Sequence, residues 1–122
     1  MSYSEDIDNA LMAHGEWKKR LGAAIESGSS EFTVSQVQVD NGCAFGKWFY
    51  GLPSDLRESD QGKKIQRLHA AFHAEAARIL DLALKGRIRE ATKAIESGSQ
   101  FVSISGQLAI TLTQWKKTIG NG

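Results

Sequence analysis

Residues 60–85 read DQGKKIQRLHAAFHAEAARILDLALK, and this stretch decides the fold. Ile65, Leu68, Phe72, Ala76, Ile79 and Ala83 follow one another at three- and four-residue steps, the spacing of a single helix face. No proline interrupts them, and Gly86 stands where a glycine closes a helix C-terminus. The spacing predicts a helix from about Asp60 to Lys85, about 40 Å long at 1.5 Å per residue. His69 and His73 lie along the margin of the stripe. Being four apart, they sit one turn apart on the same face.

The rest of the chain agrees with a helical reading. Its one proline, Pro53, leaves long stretches free to be helical. From about Asp6 to Glu26, Ile7, Leu11, Met12, His14, Leu21 and Ile25 recur at helical spacing, and Trp17 follows His14 by three. Ser4 is the expected N-cap, with Glu5 and Asp6 suited to the positive end of the helix dipole. Ser27-Gly28-Ser29-Ser30 ends that helix. Between Glu31 and Gly42, Phe32, Val34, Val37 and Val39 hint at an extended piece, but no partner strand is evident, so the segment reads as a loop. Asp40-Asn41-Gly42 reads as a turn or helix start.

Cys43 to Tyr50 reads as a short aromatic helix, stopped by Gly51-Leu52-Pro53. Ile88 to Ile119 is helical, divided or bent at Ser97-Gly98-Ser99. In it Phe101, Leu108, Leu112 and Trp115 step by seven, four and three, as one packed seam requires. Gly106 would permit a close helix contact. The expected architecture is a single domain over residues 1–122. It is all-α, an antiparallel four-helix bundle with a short additional helix carrying Cys43.

Charge and composition narrow the function. Fifteen basic and 14 acidic residues are spread along the 122-residue chain, for a net charge of +1. That balance gives no electrostatic basis for binding nucleic acid or an anionic membrane. The polar, acidic N-terminus is not a signal peptide, and no apolar run reaches the roughly 20 residues of a membrane span. A single cysteine excludes an internal disulfide and fits a reducing cytoplasm.

The chain holds three histidines and one cysteine: His14, Cys43, His69 and His73. Cys and His are preferred zinc ligands, and four of them complete a tetrahedral shell. They come from three separate elements, so such a site forms only once those elements have packed. Trp17, Phe45, Trp48 and Phe72 are placed to shield a metal or simply to fill the core. A buried cation wants acceptors that fix the histidine tautomers; Asp8, Glu16 and Glu75 are local carboxylates, and the sequence does not show which of them reach. The set argues against an enzyme. His69-Ala70-Ala71-Phe72-His73 lacks the glutamate that a zincin places directly after its first histidine. Four protein ligands also leave no open position for a reacting water. A di-iron bundle would need a further histidine or a repeated Glu/His set.

Three short motifs carry a resemblance. They are His14-Gly15-Glu16-Trp17, then Cys43-Ala44-Phe45-Gly46-Lys47-Trp48, then His69-Ala70-Ala71-Phe72-His73. Their order and separation resemble the chemoreceptor zinc-binding domain family of bacterial signalling proteins. The resemblance implies a helical bundle that dimerises with itself and holds one Zn²⁺ per subunit through His14, Cys43, His69 and His73. It also implies a partner effector such as a chemoreceptor or a diguanylate cyclase. The expected function is regulatory: sensing zinc, oxidation of Cys43, or both. A zinc that only stabilises a helical interaction module is the alternative.

Overall fold

The computed structural model describes residues 3–39 and 43–119. These form eight α-helices and no strand. They are α1 (Tyr3–Gly15), α2 (Trp17–Ser27), α3 (Val34–Gln38), α4 (Ala44–Tyr50), α5 (Ser54–Arg57), α6 (Asp60–Leu84), α7 (Ile88–Ala94) and α8 (Gln100–Ile119). The all-α expectation holds. The turn expected at Asp40-Asn41-Gly42 lies outside the described residues.

Helix α6 is the centre of the molecule. It packs against α2, α3, α5, α7 and α8, while α1 packs against α8 and α4. Ile65, Phe72, Ala76, Ile79 and Ala83 of its stripe are buried, and Leu68 is half-buried. The Ser59 hydroxyl caps it by accepting the Gly62 N–H. Gly86, at φ 77°, adopts the left-handed conformation that ends it. Gly62 is required for another reason. A Cβ there would collide with the Leu56 carbonyl of α5, so only glycine lets α5 close against the start of α6.

Several boundaries differ from the sequence reading. The first helical stretch is two helices, not one. Glu16 separates them, yet its backbone is helical, and bonds from the Glu16 N–H to Met12 and from the Arg20 N–H to Glu16 run through the break. The glycine beside it, Gly15, is a poor interior helix residue and marks the weak point. Ser4 lies inside α1 rather than capping it. The segment read as a loop contains α3. Thr33 and Gln36 form a reciprocal capping box there, each side chain accepting the other's backbone N–H.

The seam of α8 is an internal one. Phe101, Leu108, Leu112 and Trp115 are all buried within the chain itself. Phe101 stacks against Phe72 of α6 at 5.3 Å, and Trp115 meets Phe49 of α4 at 5.9 Å. Each fully buried side chain of this kind contributes about 1.5–3 kcal/mol. Gly106 is exposed and faces open space, so it serves no close contact within the chain.

Candidate metal centre

Three elements bring the four sequence-selected residues together. His14 stands in the last turn of α1, Cys43 is the N-cap of α4, and His69 and His73 lie one turn apart on α6. Their ligand atoms all fall within 4.8 Å of one another. The Cys43 Sγ is 3.3 Å from the His69 Nε2, which is 3.1 Å from the His73 Nε2. Zinc bond lengths give tetrahedral edges of about 3.3 Å between nitrogens and about 3.6 Å from nitrogen to sulfur. The cluster is therefore close to the size that zinc needs.

The tautomers fit as well. The His14 Nδ1 lies 2.7 Å from the Ala10 carbonyl, and the His73 Nδ1 lies 2.9 Å from the Val37 carbonyl. A carbonyl only accepts, so both Nδ1 atoms carry the proton and both Nε2 atoms present a lone pair to the cluster. Metal-ligating histidines are commonly fixed in this way. Burial disfavours the charged form of His14 and His69. It lowers the His14 pKa to about 4, with His73 adding to the shift and the Ala10 bond opposing it. Burial also lowers that of His69 to about 2, helped by repulsion from His73 and His14. A neutral imidazole is the form that binds a metal.

The orienting groups are backbone carbonyls, not the carboxylates named from sequence. Asp8 pairs with Lys116, Glu16 with Arg20, and the buried Glu75 makes a two-pronged bond to Arg78. No side-chain pattern marks Ala10 or Val37 as acceptors. The one legible clue was the Thr33-x-x-Gln36 signature that builds α3 and places Val37.

The aromatic residues divide their roles. Phe45 packs on His69 at 4.9 Å and on His14 at 5.7 Å, and Phe72 packs on His14 at 5.1 Å. Trp48 backs Phe45 and reaches Trp115 of α8. Trp17 stacks with Phe32, and the Arg20 guanidinium covers both rings. A cleft of about 600 Å³ opens beside the cluster, bordered by Trp17, Phe32, Trp48, His14, Cys43 and His73. Cys43 is only half-buried and lines this cleft.

The chemoreceptor zinc-binding domain model matches residues 14–80, from the first of these histidines to beyond the last. The chain belongs to this family. No curated protein and no solved structure matches it significantly. The family binds zinc, and in this chemoreceptor zinc-binding domain His14, Cys43, His69 and His73 lie together as a potential site for it. Among the described residues no helix is long and apolar enough to cross a membrane.

Proposed function

We propose that this chemoreceptor zinc-binding domain is a non-catalytic regulatory module. Its state is set by zinc bound to His14, Cys43, His69 and His73, and by oxidation of Cys43. The observation that carries the reading is the closure of three His and one Cys, from α1, α4 and α6, into one cluster. Four protein donors leave no position for substrate, which favours binding over catalysis. Zinc held there would supply a cross-link between the N-terminus of α4 and helices α1 and α6.

Helix α4 suits the task of reporting occupancy. Cys43 begins it, and Trp48 and Phe49 dock its other end on Trp115. Loss of the Cys43 bond, through zinc withdrawal or conversion to sulfenic acid, frees one end of this lever. The other end then shifts against α8. The module is read as a homodimer acting in the cytoplasm on a signalling effector such as a chemoreceptor or diguanylate cyclase. Met12 of α1 and Ile110 of α8 are exposed large apolar side chains on two helices that pack together, and they are the side chains such self-association would cover. Light scattering at micromolar concentration should give a dimer, and a monomer would count against this face.

The deciding experiment is reversible zinc removal, followed by circular dichroism and hydrogen exchange. A sensor keeps its helical content while exchange rises across Ala44–Tyr50, and zinc restores protection. A chain that unfolds when zinc leaves has only a structural metal. In parallel, mild oxidant should modify Cys43 and release zinc, and reductant should restore binding.

A further inference from the structure

His73 is aimed from outside the ligand set. Its Nδ1–H bonds to a carbonyl 36 residues away, that of Val37, at 2.9 Å. Val37 thus helps to hold the ring in this orientation. Val37 lies in α3, a five-residue helix in which it is the buried residue. A helix this short does not sustain itself, because nucleation costs more than its few bonds return. Burial of the Val37 side chain, which is 2% exposed, and the capping box are what hold it. In that box the Thr33 hydroxyl accepts the Gln36 N–H at 3.2 Å, and the Gln36 side-chain Oε1 accepts the Thr33 N–H at 2.9 Å. Both side chains are exposed, and their box bonds are to each other rather than to a cluster ligand.

We propose that Thr33 and Gln36 are positioning residues for the metal site: their capping box fixes α3, and through the Val37 carbonyl sets the orientation and zinc affinity of His73. The inference rests on the reading of His14, Cys43, His69 and His73 as the zinc ligands. It assigns a binding role to two surface residues that touch no ligand atom. A partly populated competent state lowers apparent affinity by its population. Loss of an N-cap shifts a marginal helix about fivefold toward its frayed form.

The test is chelator competition for zinc on the full chain, with circular dichroism on each variant to establish that it is folded. Thr33→Ala and Gln36→Ala should each weaken zinc binding more than Ser59→Ala does, by at most about fivefold. Thr33→Ser and Gln36→Glu, which keep the box, should restore it. Ser59→Ala is the control. It removes a comparable cap from α6, ten residues ahead of His69, and should change zinc affinity less than about twofold. Wild-type affinity in both alanine variants would overturn the proposal. So would an equal loss in Ser59→Ala, which would mark the effect as general destabilisation. If Thr33→Ala does not fold, Gln36→Ala with Gln36→Glu decides alone. A wild-type chain that takes up no zinc would instead overturn the ligand assignment, and this proposal with it.

Discussion

The Cys43 sulfur lies 3.3 Å from the His69 Nε2 and also accepts the Gly46 N–H at 3.3 Å as the N-cap of α4. One atom therefore joins the candidate metal site to the start of a helix. Two substitutions separate these roles. Cys43→Ala removes ligand and cap together, whereas Cys43→Ser keeps a capping oxygen but offers zinc a poor ligand. Both should weaken zinc binding at least tenfold in chelator competition. Only Cys43→Ala should also lower the stability of the metal-free chain in urea, by about 1 kcal/mol. Replacing Glu16 or Glu75 by glutamine should leave zinc affinity within about twofold, because their partners are Arg20 and Arg78.

The metal-free fold should weaken in mild acid. His14 and His69 are neutral in the folded chain, their pKa values lowered from 6.5 to about 4 and about 2. In the unfolded chain both take up a proton once the pH falls below 6.5. The unfolded state then binds more protons, so this stability is complete above pH 6.5 and declines as the pH drops towards the folded-state values. The slope is about 1.4 kcal/mol per pH unit for each histidine. Urea midpoints measured with chelator between pH 7.5 and 5.5 should show the decline, and His14→Gln should make it shallower. An unchanged midpoint over that range would contradict the burial of these rings.

Gly62→Ala should destabilise the chain by about 1–3 kcal/mol, since its Cβ would strike the Leu56 and Arg57 carbonyls. The effect is confined to the junction of α5 and α6. Zinc affinity should stay within about twofold of wild type. Denaturation with and without zinc reads both quantities, and a neutral substitution would contradict the close approach of α5.

Much of this was readable before the structure, for identifiable reasons. The stripe from Ile65 to Ala83 is long enough for its period to be unambiguous, and it placed His69 and His73 on one face. The His14, Cys43 and His69/His73 motifs then selected the cluster. Helix α3 was hidden because five residues cannot display a helical period, and Val37 and Val39 suggest alternation instead. The capping box at Thr33 was the better signal. The orienting carbonyls of Ala10 and Val37 belong to the main chain, which carries no residue code. The α8 seam stated that one face is buried but not what covers it. Its cover is the chain's own Phe72 and Phe49.

The central claim is that His14, Cys43, His69 and His73 hold one zinc. X-ray absorption at the zinc edge, on protein loaded with one equivalent, tests it most directly. The account predicts one sulfur at about 2.3 Å and three nitrogens at about 2.0–2.1 Å, with no further ligand. A shell without sulfur, a shell completed by water, or a folded chain that retains no zinc would contradict it.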